Sequence, residues 1–200
     1  MSRRLVALTF DDGPSEWTAP ILDVMKEHGA RATFFVIGEA IEGRESVLRR
    51  TAAEGHEIGN HTWSHPALTT IPLDRVREEL DFAGDTIERV LGARPRLFRP
   101  PYFDHSDEVD RVAAEAGYGP PVLCTIDPSD WATESPEAIV ETVLAQIRAG
   151  SIVDLHDGRP RGESGSTESR QPTVDAVRKI VPALVAEGYR LVTVPELLAA

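Results

Sequence analysis

Short apolar runs alternate with longer amphipathic ones along the whole chain, and this rhythm restricts the fold more than any other feature of the sequence. Strand-like runs lie at LVALTF (5–10), ATFFVI (32–37), HEIGN (56–60), RLFR (96–99), PVLCTI (121–126), SIVDL (151–155) and YRLVTV (189–194). Between them sit helical patterns. TAPILDVMKEHG opens at Thr18 with Pro20 in its first turn and stops at Gly29, and PLDRVREELDFAGDTIERVLG stops at Gly92. Proline near a helix start and glycine just past its end are the usual punctuation. Further helices are expected near 44–54, 106–116, 135–148 and 172–187. Such alternation predicts an α/β fold with a mainly parallel sheet, open or closed. No repeat, linker or composition break divides residues 1–200, so one domain is expected, and 41% hydrophobic residues suffice for its core. The exception to compactness is DGRPRGESGSTESRQP (157–172), which reads as a long mobile loop.

Polar residues collect at one end of these strands. Asp11 and Asp12 follow the first run in TFDDGP, His61 the third, Arg99 ends the fourth, Asp127 follows the fifth and His156 the sixth. In parallel α/β folds the C-terminal strand ends share one face, where such folds build their sites. Asp, Gly and Pro are also ordinary turn residues, so the hexapeptide alone would pass for a turn; its companions at the same edge point to chemistry. NHTWSH (60–65) places two imidazoles four residues apart. One helical turn after the strand would bring His61 and His65 to the same side, and two His with a carboxylate are a common catalytic zinc set. The only cysteine is Cys124, so neither an intramolecular disulfide nor a thiolate cluster is available, and any metal must use His and carboxylates. His28 and His56 read as structural, His28 lying at a helix end where a cation suits the dipole.

Charge narrows the partners. With 21 Lys+Arg against 33 Asp+Glu the net charge is −12, which disfavours nucleic acid, anionic membranes and strongly anionic polymers. No apolar stretch is long enough to span a bilayer, and MSRRLVALTF shows no separate signal-peptide core or cleavage site. The expectation is a cytoplasmic protein or the trimmed catalytic part of a secreted one, without membrane insertion and with its oligomeric state open.

TFDDGP at 9–14, HTWSH at 61–65, RPPY at 99–102, DPSDW at 127–131 and IVDLHD at 152–157 resemble, in order, the five motifs of the polysaccharide deacetylases, the NodB-homology or carbohydrate esterase 4 family. The resemblance spans nearly the whole chain and implies a distorted (β/α) barrel, here of about seven parallel strands. It implies hydrolysis of the N-acetyl group of an aminosugar-containing glycan such as chitooligosaccharide or peptidoglycan. It also implies one divalent metal, zinc first with Co2+ or Ni2+ able to substitute, held by Asp12, His61 and His65. Carried over further, Asp11 is the general base, Arg99 orients it, and the backbone N–H at Tyr102 helps hold the developing oxyanion. His156 is the general acid, with Asp127 raising its pKa and Asp130 able to share that task. The substrate-contact positions are Tyr102, Trp131, Asp154 and Leu155, although Trp131 is as compatible with core packing.

Two departures stand out. Phe103 follows the RPPY tyrosine where the family usually has Gly, so that loop must bend differently. Asp154 stands where the family usually has a Leu lining the acetyl-methyl pocket. Strand alternation turns Ile152, Asp154 and His156 inward and Val153 and Leu155 towards the helices, so Asp154 must be solvated, paired with a cation or His156, or in contact with a polar or amine-bearing substrate. Rival readings are an O-acetyl xylan or carbohydrate esterase, a deformylase or other small-amide hydrolase, and a catalytically silent sugar-binding module.

Overall fold

The computed structural model describes residues 4–200; residues 1–3, which begin the segment read for a leader, lie outside the described residues. β1 (Leu5–Asp11) is buried along its whole length, as a strand covered on both faces must be. It pairs in parallel with β2 (Thr33–Val36) and β5 (Ile152–His156), and through Leu5 and Val6 with β6 (Arg190–Leu191). β3 (Glu57–Asn60) and β4 (Leu97–Phe98) extend the sheet beyond β2, giving the order β4-β3-β2-β1-β5 with β6 beside β1. The connections carry α1 (Thr18–Glu27), α2 (Glu45–Ala53), α3 (Leu73–Leu91), α4 (Asp107–Glu115), α5 (Pro136–Gln146) and α6 (Gln171–Ala186). A last short helix, α7 (Val194–Leu198), starts with a capping box between Thr193 and Glu196.

The described residues form six strands rather than the seven runs read from sequence, because 121–126 makes only a single bridge, Ile126 to Val153. This stretch serves two strands in turn. The Gly119 and Val122 N–H groups donate to the Arg96 and Phe98 carbonyls at 3.0 and 2.9 Å; a few residues later the Thr125 N–H reaches the Ile152 carbonyl at 2.8 Å and the Ile126 carbonyl accepts from Asp154 N–H at 2.9 Å. A segment that crosses from β4 to β5 cannot keep a ladder with either. It ties the two sheet edges together, and the sheet curls into a distorted (β/α) barrel.

Period-two alternation sorts the side chains. Leu8, Phe10, Phe34, Val153 and Leu155 point outward into the main core with α1 and α6. Ala7, Phe35, Val122 and Val194, with Leu97 and Ile152 packed against them, fill the lower interior. Above that plug the register sets Thr9 beside Asp154 and then Asp11 beside His156, so the interior turns polar one layer at a time towards the C-terminal strand ends. His56 is structural as expected. Its Nδ1 accepts from the Ala32 N–H at 3.1 Å and its ring meets Phe34 edge-on, while burial pushes its pKa down to about 4. His28 caps the C-terminal end of α1. No helix among the described residues is long and apolar enough to cross a membrane.

The end of β1 is locked against the end of β5. Asp157 N–H donates to the Asp11 carbonyl at 3.0 Å, the Asp157 carbonyl accepts from Ser15 Oγ, and its carboxylate accepts from Thr18 Oγ1. Gly13 lies so close to the Asp157 carboxylate, and Gly158 so close to the Asp12 carbonyl, that a methyl on either would collide. Beyond Gly158 the chain runs without helix or strand to residue 170, where buried Arg170 gathers the loop by donating to the Gly158 and Thr167 carbonyls at 2.8 and 3.0 Å. Gly158→Ala is expected to lower unfolding stability by about 1–3 kcal/mol, since the collision is with backbone that cannot rotate away. Gly119→Ala, whose methyl would meet only the Arg96 carbonyl at 3.8 Å, is the control expected to stay near the parent. Urea titrations of the three proteins check the difference.

Candidate active site

At the C-terminal strand ends a cavity of about 260 Å³ is lined by Asp11, Asp12, His61, His65, Tyr102, Asp127, Trp131, Asp154 and His156, together with Pro100, Phe103 and Glu163. Of the site residues singled out from sequence, three do not line it. Arg99 lies beneath, fully buried, Asp130 is buried behind His156, and Leu155 sits in the main core. Leu155 as a substrate contact is therefore corrected: alternation along β5 turns it to the helices.

Asp12, His61 and His65 converge. Asp12 Oδ1 lies 3.5 Å from His61 Nε2 and 3.4 Å from His65 Nε2, and this buried oxygen has no hydrogen-bond donor. Ligands held at about 2.0–2.1 Å around a tetrahedral ion stand roughly 3.3–3.5 Å apart, so the spacing fits one small divalent cation better than hydrogen bonding. His61 Nδ1 is 2.8 Å from the Arg99 carbonyl, which can only accept, so Nδ1 carries the proton and Nε2 keeps its lone pair free for a cation. Burial pushes His61 down to about 3 and His65 to about 2, so both imidazoles are neutral donors. Burial pushes the Asp12 carboxyl the other way, up to about 7 with no cation present, against the pull of His156.

The helical turn expected between His61 and His65 is replaced by an irregular loop. Thr62 and His65 have φ of 69° and 64°. Asn60 Oδ1 accepts from Thr62 N–H at 2.7 Å, and the buried Glu79 carboxylate accepts from the Trp63 and Ser64 N–H groups at 2.9 and 2.7 Å and from Ser64 Oγ at 2.8 Å. Glu79 escaped sequence reasoning because it lies on the amphipathic α3 among other charged residues. Asn60, directly before His61, is the one supporting residue whose position gave a signal.

Arg99 binds the other aspartate. Its Nη1 donates to Asp11 Oδ1 at 2.8 Å, to Asp154 Oδ1 at 2.7 Å and to Thr9 Oγ1 at 2.8 Å, its Nε donates to the Val122 carbonyl at 3.0 Å, and the guanidinium lies 4.3 Å over the Phe35 ring. Burial raises the Asp11 carboxyl above its ordinary value although Arg99 pulls it down. Across the cavity, His156 Nδ1 stands 2.8 Å from Asp130 Oδ1, while Asp130 Oδ2 accepts from the His156 backbone N–H at 2.9 Å and from Thr173 Oγ1 at 2.6 Å. Burial alone would lower the His156 pKa, but the charge and hydrogen bond of Asp130 outweigh it and hold the imidazole well above its usual value. The expected partner, Asp127, is corrected to Asp130. Asp127 turns back to accept from Ser129 N–H at 2.6 Å; Ser129 then takes φ 52° and swings Asp130 under His156. Asp11, Asp154 and His156 also bring donor atoms within 4.8 Å of one another, but Arg99 and Asp130 already neutralise that group.

On the remaining side, the Tyr102 ring meets His65 edge-on at 4.6 Å, and Tyr102 and Phe103 both have positive φ, 58° and 54°. The loop turns through two left-handed residues, and Phe103 takes a conformation that favours glycine. Glu163, from the loop after β5, was not anticipated; nothing in a Gly/Ser/Arg-rich segment marks one carboxylate as cavity-facing.

The sequence profile described as polysaccharide deacetylase matches residues 1–121. The chain is 42% identical over 199 residues to a chitooligosaccharide deacetylase of Bradyrhizobium sp. (strain ANU 289), covering 97% of this chain and 90% of that one. It is 38% identical over 193 residues to a peptidoglycan-N-acetylglucosamine deacetylase of Bacillus cereus, covering 96% and 67% respectively. The solved structure of the peptidoglycan deacetylase PdaC from Bacillus subtilis superposes with a TM-score of 0.88 at 35% identity, covering 99% of this chain and 91% of that one.

The Asp130 pairing has a direct test. In NMR titrations of the metal-free protein, His156 is expected to titrate above the ordinary imidazole range; Asp130→Asn should bring it down towards that range and Asp127→Asn should leave it in place.

Proposed function

As this chain belongs to the polysaccharide deacetylase family, we propose that its 200 residues form one catalytic domain that hydrolyses the amide of an N-acylated aminosugar in a glycan, the N-acetyl group in the first instance. The observation that carries this reading is the pairing of Asp11 with Arg99 on one side of the cavity and of His156 with Asp130 on the other, with Asp12, His61 and His65 closing the space between them.

Asp12, His61 and His65 would hold a divalent cation, zinc from the donor set, which when bound would supply Lewis-acid polarisation of the acyl oxygen and a more acidic water. Asp11, which is not one of those three donors, removes the proton from the attacking water. Arg99 holds Asp11 Oδ1 and leaves its other oxygen to face the cavity. The backbone N–H of Tyr102, on the rim, donates to the acyl oxygen as negative charge gathers there. His156, kept charged by Asp130, delivers its proton to the departing nitrogen, and the products are the free aminosugar and acetate. An amine leaves poorly unless protonated, whereas an alkoxide needs less help, so a strongly loaded acid favours amide over ester hydrolysis. Trp131 and Tyr102, 39% and 59% exposed, offer aromatic faces at the mouth for sugar rings.

Removal of metal by a chelator should abolish acetate release from chitooligosaccharides, and Zn2+ or Co2+ should restore it; His65→Ala should weaken metal binding measured by calorimetry. Asp11→Asn and His156→Ala should each keep bound metal yet lower kcat by roughly 10²–10⁴, about 3–5 kcal/mol. The alkaline limb of kcat/KM reports loss of the His156 proton, so it should lie above the ordinary imidazole value and move to lower pH in Asp130→Asn. Full turnover after verified metal removal would overturn the reading.

A further inference from the structure

Given amide hydrolysis in this cavity, we infer that Asp154 selects the acyl group, and that the preferred substrate carries an N-acyl chain with a hydroxyl on its α-carbon, an N-glycolyl rather than an N-acetyl aminosugar. Asp154 is 2% exposed, yet it lines the cavity. Its Oδ1 is held by Arg99 at 2.7 Å, and among the described residues its Oδ2 has no hydrogen-bond donor. One carboxyl oxygen of a nearly enclosed side chain is therefore left for whatever occupies the cavity.

The barrel register says what that occupant is. Asp11 lies opposite His156, and Thr9 opposite Asp154 one layer deeper. The reacting acyl carbon must stand between Asp11, which deprotonates its attacker, and His156, which protonates its leaving nitrogen. The sugar ring lies outward, at the Tyr102 and Trp131 mouth. The only part of the substrate that can point down to the Asp154 layer is the substituent on the acyl carbon. A methyl there would shut this carboxyl oxygen off from water and offer it nothing, whereas a hydroxymethyl group reaches it with a hydroxyl. A hydroxyl can both donate and accept, so it satisfies Asp154 as carboxylate or as acid; burial and the neighbouring Asp11 hold this group well above its ordinary pKa. The enclosure that admits a hydroxymethyl group also excludes a sugar ammonium, which is attached to the ring and cannot descend into this layer. The reaction is a plain hydrolysis: the C–N bond breaks, water oxygen forms the new C–O bond, His156 protonates the amine, and glycolate leaves with Asp11 taking the water proton.

The test compares matched N-glycolyl and N-acetyl chito-oligomers with the zinc-loaded parent and Asp154→Leu. The parent is expected to favour the N-glycolyl oligomer in kcat/KM by roughly tenfold or more, and Asp154→Leu to reverse that order, because a site built to bind a hydroxyl discriminates strongly against the analogue lacking it. Asp154→Asn, which keeps an acceptor, should narrow the preference without reversing it and serves if the Leu variant does not fold. Calorimetry with glycolate and acetate supplies a readout independent of turnover: glycolate should bind the parent more tightly, and the margin should shrink in the variants. Equal kcat/KM for both oligomers in the parent, or a glycolyl-to-acetyl ratio unchanged by Asp154→Leu, would overturn the role of Asp154 while leaving deacetylation standing. Failure of the parent to hydrolyse either oligomer, with zinc bound and no glycolate margin over acetate, would overturn both.

Discussion

A guanidinium with no exposed surface sits inside the barrel, and the polar half of the interior is arranged around it. Arg99 could not be buried alone, since an unpaired charge in a low-dielectric interior is strongly unfavourable. It is met by Asp11 and Asp154 at 2.8 and 2.7 Å, by Thr9 and the Val122 carbonyl, and by the face of Phe35. These partners come from four parts of the barrel: Thr9 and Asp11 from β1, Phe35 from β2, Val122 from the closing stretch, Asp154 from β5. Arg99 thus fixes where the strands end relative to one another. Its backbone carbonyl also sets the tautomer of His61. One residue orients the Asp11 carboxylate with its side chain and the His61 imidazole with its main chain, so the two halves of the site cannot drift apart.

Strain gathers where this ordered interior meets the loops. Among the described residues the non-glycine positions with positive φ are Asp12, Thr62, His65, Tyr102, Phe103 and Ser129, all in irregular segments that carry residues lining the cavity. Such conformations cost roughly 1–3 kcal/mol each and persist only where the surroundings over-determine them. Here they are over-determined: Asp12 by the close approach of Gly158, Thr62 by Asn60, the Trp63–Ser64 backbone by Glu79, and Ser129 by Asp127. The reward is orientation, since each left-handed residue redirects an adjacent or its own side chain inward from a strand that would otherwise carry it past the cavity.

The two titrating sides of the cavity are kept apart by unequal partnering. Burial raises the Asp11 pKa although Arg99 pulls it down, while Asp130, itself held by the His156 backbone N–H and Thr173, raises the His156 pKa against burial. Both groups therefore hold their protons more readily than the free side chains do, the carboxyl because it is buried and the imidazole because a carboxylate faces it. The excess of acidic residues over the chain, net −12, repels polyanions.

Periodicity and turn punctuation in the sequence determined the α/β class, the bounds of most helices to within a residue or two, and the collection of Asp11, Asp12, His61, Arg99 and His156 at one sheet edge, because these depend on local preferences and on a parallel topology that brings strand ends together. Motif resemblance sharpened that edge into a family. Tertiary structure alone decided the rest. Residues 121–126 look like a strand by composition but bond to two different strands in succession, and composition says nothing about that. Asp127 and Asp130 are equally acidic and three residues apart, and only the left-handed Ser129 decides which one reaches His156. Glu79 holds the HTWSH loop from a helix sixteen and fifteen residues away in sequence from the N–H groups it accepts from. Asp154 was expected to face inward from its strand position, but that one oxygen is taken by Arg99 and the other left to the cavity follows from the curl of the sheet, which places the arginine just after β4 beside a strand that never pairs with β4.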